Sequence, residues 1–337
     1  MEIFGDTATV YRDFAREAVG SPCFEAWADG VADDPEVLAW LQTLPPRKRQ
    51  ANLVFAAARW HGVPAPGPYA GLRDALLGDD GTIRGTILER STQTNEVGRL
   101  ACLERAFAMI RNNKPGHTVA LLEVGASAGL CLFPDRYSYR WHLPGGGTIE
   151  TDIESDMDAP LLECRITSGE PTGAVLAPVT WRAGIDLSPV DVTDDEAVRW
   201  LQTLVWPEQE ERRERLRAAV EIARSHPPYL VRGDLFEELP ALMAQAPVQA
   251  TLIVFHSAVI AYLEAADRER FASMMAGLVA DGECHWVSNE GPRVLPGLVP
   301  EGVDVPFGRF VMAIDGRPVA LTHGHGAEAD WLADPYR

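Results

Sequence analysis

The sequence predicts an α/β protein in which a helical N-terminal region precedes a doubly wound, mostly parallel sheet. Three observations support this fold class. Apolar residues recur at helical spacing between residues 6 and 113. From residue 117 onward, short apolar runs alternate with longer helical stretches, which is typical of parallel strands joined by crossovers. Only DGRP separates the last two predicted strands, so we expect them to form an antiparallel hairpin at one edge.

Residues 1–115 are predicted to form a helical N-terminal subdomain, or cap. PEVLAWLQTL, QANLVFAAARW and VGRLACLERAFAMI each place apolar side chains on one face of a helix. Breaks at GSP, LPP, VPAPGP and GDDG favour several short helices over a few long ones.

Residues 116–337 are predicted to form the sheet domain, which begins with TVALLEV, a continuous apolar run typical of a buried parallel strand. Alternating polarity in YSYRW and LLECRIT predicts a hairpin inserted at about 136–173. The clearest helices are predicted at 207–225 and 264–282. Further strands are predicted at 179–186, 228–234, 251–257, 283–290, 309–315 and 318–324.

Composition limits the class of ligand. The chain has 337 residues, 30 basic against 49 acidic, and a net charge of -19, which disfavours binding to nucleic acid or to an anionic membrane surface. A small-molecule ligand is therefore expected. The five cysteines show no Cys-x-x-Cys spacing, and the first residues lack a basic segment followed by an apolar run, so we expect a cytoplasmic protein. The oligomeric state is left open.

The segment LLEVGASAGL, residues 121–130, is the most informative in the chain. It places Glu123 near the carboxyl end of a buried strand, and Gly125, Ser127 and Gly129 then let the backbone approach a ligand before a predicted helix. Ligands of open α/β sheets bind at this edge. The alternative is a tight turn that packs against the protein and binds nothing.

Two later predicted strands also end in a carboxylate. Asp186 in GIDLSP is placed to accept hydrogen bonds from the hydroxyls of a ribose. In VRGDLF, Asp234 is placed to accept a hydrogen bond from an exocyclic amine, while Leu235 covers an adenine face. Asp152 and Glu154 remain alternatives for the ribose, because a long insertion precedes Asp186.

In this order, LLEVGASAGL, GIDLSP, VRGDLFEELP and the segment from VFHSAVIAYL to VSNE resemble the class I S-adenosylmethionine-dependent methyltransferases over most of 117–324. The resemblance implies that the glycine turn holds the methionine end of S-adenosylmethionine. It also implies that the acid after the second strand binds ribose, and that the acid after the third contacts adenine. The expected activity is methyl transfer to a small molecule that the sequence does not identify.

The predicted fourth strand ends in His256 and Ser257, where the resemblance places the transferred group. His256 is the candidate general base or a group that orients the substrate. The alternative is a hydrogen-bonded core histidine. Ser257 and Tyr262 are assigned to the substrate side of the site. Because the acidic and Asn-Pro-Pro-aromatic signatures of amine methylation are missing, the methyl acceptor stays open.

The segment TQTNEVGR is predicted to open a helix that Thr94 or Asn95 caps, with Arg99 about one turn inside. We expect Gln93, Asn95, Glu96 and Arg99 to lie over the cofactor pocket. Arg99 would then pair with a carboxylate of cofactor or substrate. The alternative is a capped helix with a surface arginine.

The whole chain also resembles a bacterial family known as domain of unknown function twenty-three thirty-two. RSTQTNEVGR, LLEVGASAGL, VWPEQ, VRGD and VFHSAVIAYL carry this resemblance. It implies no established activity. It does imply that the helical region and the sheet domain occur together.

Two other functions compete with methyl transfer. GASAG fits the G-x-S-x-G elbow of α/β-hydrolases, although the preceding helical residues and the lack of an HGGG segment disfavour it. The hydrolase would use Ser127 with Asp234 or Asp315 and with His323 or His325. The second alternative is a methyltransferase-like domain that binds a nucleoside or a partner protein without catalysis.

No metal site is predicted, because no third ligand has convincing spacing to the histidines of THGHG.

Overall fold

The structure is a computed structural model that describes residues 6–93, 95–114, 117–151, 159–169 and 178–332. The helices are α1 (Thr7–Glu17), α2 (Pro22–Ala32), α3 (Pro35–Gln42), α4 (Ala51–Trp60), α5 (Tyr69–Leu77), α6 (Thr82–Glu89), α7 (Leu100–Asn113), α8 (Asp195–Leu204), α9 (Glu210–Ser225), α10 (Leu235–Met243) and α11 (Ala265–Ala280). The strands are β1 (Val119–Val124), β2 (Ser138–His142), β3 (Thr148–Thr151), β4 (Leu161–Ser168), β5 (Val179–Asp186), β6 (Tyr229–Arg232), β7 (Thr251–Ser257), β8 (His285–Glu290), β9 (Arg309–Ile314), β10 (Arg317–His323) and β11 (Glu328–Trp331).

The chain folds as two compact units. The helical unit contains residues 1–94 and 193–217, and the sheet unit contains residues 95–192 and 218–337. The division therefore differs from the predicted boundary at 115. Helix α7 belongs to the sheet unit, whereas α8 joins the helical unit.

The helical unit contains the short helices that the breaks in the sequence predict. Asp6, Ser21 and Asp34 cap α1, α2 and α3 by accepting backbone N–H groups of the first turn. The core is aromatic: Phe24 stacks on Trp27 with ring centroids 5.6 Å apart, and Phe55 meets both rings edge-on. No helix of the described residues is long and apolar enough to span a bilayer.

Five parallel strands form one end of the sheet, in the order β6-β5-β1-β7-β8, with β6 at the edge. After β1 the chain forms β5 and β6 on one side, then crosses to form β7 and β8 on the other. The strand order reverses beside β1, and this switch point is where open α/β sheets bind ligands. The α/β class and the large, mostly parallel sheet are as predicted.

Helices cover both faces of this sheet. On β7, the ring of Phe255 meets Phe107 of α7 at 5.2 Å, while the ring of His256 meets Phe271 of α11 at 5.3 Å. Successive strand residues point to opposite faces, so α7 and α11 lie on opposite sides. The chain is thus wound on both faces, as the alternation of helices and strands predicts.

The predicted edge hairpin is correct in its pairing and wrong in its place. Strands β9 and β10 pair antiparallel, but the sheet continues beyond β10 through β11, β4, β2 and β3. The inserted segment adds the antiparallel pair β2–β3 and also β4, which runs parallel to both β2 and β11. The insertion therefore extends the sheet, and in the described residues its edges are β3 and β6.

No α-helix follows the glycine turn, contrary to the prediction. After Gly129 the chain makes two single 3-10 turns, Leu130–Leu132 and Pro134–Arg136, before β2 begins. Proline disfavours helical backbone in the residue before it, and Pro134 follows the first turn closely. Arg182 of β5 holds this segment with two hydrogen bonds of 2.8 and 2.7 Å to the carboxylate of Asp135.

Candidate functional site

Three neighbouring parallel strands have an acidic residue at or close to their carboxyl ends, at the same edge of the sheet. In β1, Glu123 pairs with Gly184 of β5, and Asp186 at the end of β5 pairs with Arg232 of β6. Asp234 follows β6 and precedes α10. Adjacent strands lie about 4.8 Å apart, so these side chains line one edge beside the switch point.

Glu123 is the most buried of these acids, with 8% of its surface exposed. Its Oε2 has no hydrogen-bond partner among the described residues. Burial raises the pKa of this carboxyl well above its ordinary value; the charge of Arg99 opposes the shift and that of Asp186 adds to it. The site therefore contains a carboxyl group that favours its neutral form.

Asp186 holds the glycine turn in place. Its Oδ2 accepts the backbone N–H of Ser127 at 2.8 Å, and its Oδ1 accepts that of Ser188 at 2.8 Å. Ser127 has a positive φ of 50°, a conformation that costs a residue with a side chain and needs support from its surroundings. The carboxylate keeps further acceptor capacity, because an ionised carboxyl offers about four lone-pair sites.

Protein atoms fill the space beside both turn glycines. A Cβ on Gly125 would lie within 2.5 Å of Cγ1 of Val259, in the loop after β7. A Cβ on Gly129 would lie 2.9 Å from Cγ of Pro228 and 3.2 Å from Cδ2 of Leu230. Glycine is needed at these two positions for positive φ and close packing, whether or not a ligand lies near.

Asn95 anchors the turn from the segment before α7. Its Nδ2 donates to the oxygen of Ala126 at 3.0 Å, and its Oδ1 accepts the N–H of Leu130 at 3.0 Å. Asn95 therefore does not cap a helix, and α7 begins only at Leu100. Instead, Glu96 accepts the N–H of Gly98 with Oε1 at 2.9 Å. Thr94 lies outside the described residues, and Gln93 belongs to the helical unit.

Arg99 is buried, contrary to the alternative of a surface arginine. Only 9% of the surface of Arg99 is exposed. The residue lies just before α7, rather than one turn inside a helix as predicted. Nε donates to the oxygen of Gly324 at 2.9 Å, and Nη1 donates to the backbone oxygen of Ser257 at 3.0 Å. The guanidinium thus links the ends of β7 and β10.

His256 is completely buried, and both ring nitrogens are bonded. Nε2 accepts the indole N–H of Trp286 at 3.1 Å, and Nδ1 lies 2.8 Å from Oε1 of Glu290. Because Nε2 accepts, Nδ1 carries the proton and donates it to Glu290. His256 has no lone pair left for a substrate proton, and its contacts match the hydrogen-bonded core histidine.

The remaining predicted residues lie toward the surface. Asp234 is exposed and caps α10, since its Oδ1 accepts the N–H of Phe236 at 2.8 Å. Leu235 is half-buried, and Tyr262 is 44% exposed in the turn after β7. The alternative ribose acids, Asp152 and Glu154, lie outside the described residues.

The hydrolase constellation is not assembled. Oγ of Ser127 has no hydrogen-bond partner in the described part of the chain, and the elbow's helix is missing. Asp315 pairs with His285 at 2.7 Å, and Nδ1 of His323 accepts the N–H of His325 at 3.1 Å. Across the described ranges, no group of three or more histidine, cysteine or acidic residues is placed to hold a metal.

Sequence reasoning missed a polar network beneath this edge. Thr322 donates to Oδ1 of Asn289 at 2.7 Å, and Nδ2 of Asn289 donates to Oγ of Ser257 at 3.0 Å. Glu290 was missed as well, although an acid at the end of a buried strand signals a buried partner. The other contacts depend on which strands are neighbours, and this depends on the tertiary fold.

One comparison with known proteins gives a match. The profile of the family described as "Uncharacterized protein conserved in bacteria (DUF2332)" matches residues 8–331. No curated protein and no solved structure matches the chain.

Proposed function

The chain belongs to this bacterial family, and we propose that it is an S-adenosylmethionine-dependent methyltransferase that acts on a small molecule. The observation that carries the proposal is the row of acids on β1, β5 and β6. Glu123, Asp186 and Asp234 lie at the carboxyl ends of neighbouring parallel strands, beside the switch point.

Two of these acids, Asp186 and Asp234, suit the hydroxyl and amine donors of a nucleoside. Asp186 has acceptor capacity beyond its two backbone bonds, which would serve the ribose hydroxyls. Asp234 would accept from the adenine amine, with Leu235 against the ring. We assign the cofactor contacts to these acids rather than to Gly125 or Gly129, because other protein atoms occupy the space beside both glycines.

The bound cofactor would supply an electrophilic methyl group on its sulfonium. The chain's own part is to position the acceptor in line with that group and to exclude water. Because His256 has no free ring nitrogen, the proposal includes no base from this residue. The acceptor is expected to be a nucleophile that reaches the site unprotonated or loses its proton to solvent.

Calorimetric titration with S-adenosylmethionine and with S-adenosylhomocysteine tests the binding step. Asp234→Ala and Asp194→Ala form a matched pair, because each removes a carboxylate that caps a helix. Each should cost about 1 kcal/mol of folding stability. Only Asp234→Ala should weaken cofactor binding. Equal affinity in both variants, or no binding by the wild type, would overturn the proposal.

Isotope transfer then separates an enzyme from a binding domain. Labelled S-adenosylmethionine is incubated with the protein and a small-molecule extract of bacterial cells, and the Asp234→Ala variant serves as the control. A labelled product that needs the intact site supports methyl transfer. Tight cofactor binding without any product would instead favour a domain that binds a nucleoside without catalysis.

A further inference from the structure

The charge of Arg99 has no direct counter-ion in the described structure. Its Nε and Nη1 both donate to neutral backbone oxygens, those of Gly324 and Ser257. No carboxylate of the described residues forms an ion pair with it, and its second terminal nitrogen, Nη2, makes no hydrogen bond to them. A guanidinium that is nine-tenths buried pays a desolvation cost that an anion would offset.

Two acids of the sheet edge, Glu123 and Asp186, do not supply that anion. Glu123 lies close enough for its charge to interact, but burial favours its neutral form. Each oxygen of Asp186 accepts a backbone N–H group, that of Ser127 in the glycine turn and that of Ser188 after β5. Cys131 also faces Arg99, and burial raises the pKa of its thiol well above the ordinary value, so it stays uncharged.

A second donor lies beside Arg99, and its direction is set by the network below it. The hydroxyl of Thr322 donates to Oδ1 of Asn289, which fixes the orientation of the amide. Nδ2 of Asn289 therefore donates to Oγ of Ser257. Because that oxygen already accepts a proton, the hydroxyl of Ser257 is left to act as a donor.

We propose that Arg99 and Ser257 form a subsite for a carboxylate group, with Asn289 and Thr322 as positioning residues. The backbone of Ser257 binds Nη1 of Arg99, so the oriented hydroxyl and the guanidinium belong to one local cluster. Arginine and a hydroxyl donor match the acceptor-only chemistry of a carboxylate. That this carboxylate belongs to the methyl acceptor rests on the proposed function.

Benzoate and benzamide are the probes, because they have similar shape and differ in charge. Binding is measured by calorimetry and by amide shifts in NMR spectra. Ser257→Ala removes the donor, and Thr322→Val removes the group that orients Asn289 without being near the ligand. Ser288→Ala is the control, because it too removes a buried hydroxyl. Ser288 lies in β8 next to Asn289, but its side chain is on the opposite face of the sheet.

The wild type should bind benzoate more tightly than benzamide. Ser257→Ala and Thr322→Val should each weaken benzoate binding about tenfold, the loss expected for a hydrogen bond to a charged group, and should leave benzamide unchanged. Ser288→Ala should match the wild type. Arg99→Lys should abolish the preference for benzoate, and if that variant fails to fold, the other two decide.

Equal binding of the two probes, or no binding of benzoate, would overturn the carboxylate subsite. So would benzoate affinity that survives both Ser257→Ala and Thr322→Val. The titration with S-adenosylmethionine is a separate measurement. A protein that binds benzoate through Ser257 but not the cofactor would keep the subsite and lose the methyl-transfer proposal.

Discussion

Oε1 of Glu290 accepts the Nδ1 proton of His256 at 2.8 Å, so the last side chain of β8 fixes the tautomer of a buried histidine on β7. The same oxygen accepts the backbone N–H groups of Val259 at 2.9 Å and Ile260 at 3.1 Å. These bonds shape the loop after β7, in which Ala258 has a φ of 57°. Glu290 thus supports the loop that packs on the glycine turn.

We expect Glu290→Ala to destabilise the protein strongly, because it leaves two buried donors and one partly buried donor without their acceptor. Each unsatisfied group costs about 1–3 kcal/mol. Glu290→Gln keeps an oxygen at the same place and should cost much less. Urea unfolding of the two variants measures the difference. If Glu290→Ala were as stable as Glu290→Gln, the loop would not depend on this acceptor.

The buried carboxyl of Glu123 should make folding stability depend on pH. Its folded pKa is raised above the unfolded value of about 4.3. Between these two values the folded state binds more protons, so stability is full below the unfolded pKa and falls as pH rises to the folded pKa. Glu123→Gln keeps the shape without the titration and should be more stable than the wild type at neutral pH. Parallel stability curves for the two proteins between pH 4 and 8 would contradict this prediction.

The strands were predictable because their signals are local. The apolar runs at 179–186 and 251–257 coincide with β5 and β7, and Glu123, Asp186 and Asp234 lie at the carboxyl edge. The prediction of a helix after Gly129 was wrong. The glycine turn has the sequence of a turn that starts a helix, but Pro134 disfavours helical backbone just after it. The edge position of the last hairpin was also wrong, because β11 and the insertion pair beyond it.

The partners of the site residues could not be predicted. His256 at the end of a strand fits a catalytic base as well as a core residue, and only the fold shows that Trp286 and Glu290 occupy both ring nitrogens. Likewise, the contact of Thr322 with Asn289 reaches across β9. Such contacts follow from strand order and register, which one sequence does not encode as a local pattern.

All five cysteines should resist thiol reagents in the folded protein. Each is buried and unpaired by disulfide. The hydrogen bond to Cys164 and burial both raise the pKa of Cys102 well above its ordinary value, which disfavours the reactive thiolate. We expect slow labelling by Ellman's reagent in native buffer and rapid labelling of all thiols in urea. Fast labelling under native conditions, followed by peptide mapping, would identify a cysteine that the fold does not protect.

The contact between Gly125 and Val259 predicts a coupled pair of substitutions. Gly125→Ala should lower the free energy of unfolding for two reasons. A residue with a side chain is strained at a φ of +72° by about 1–2 kcal/mol, and the overlap of the new Cβ with Val259 adds about 1–3 kcal/mol. Gly282→Ala is the control, because its φ is +73° and no atom lies within 4 Å of the added Cβ. It should show the conformational cost alone.

Val259→Ala removes the methyl groups that the new Cβ would meet, so it should restore part of the stability lost in Gly125→Ala. The double-mutant cycle, measured by urea unfolding, should give a coupling energy of about 0.5–3 kcal/mol. The double variant should still be less stable than the wild type, since the positive φ remains at residue 125. Additive effects of the two substitutions, with Gly125→Ala no worse than Gly282→Ala, would mean that the loop after β7 does not press on the glycine turn.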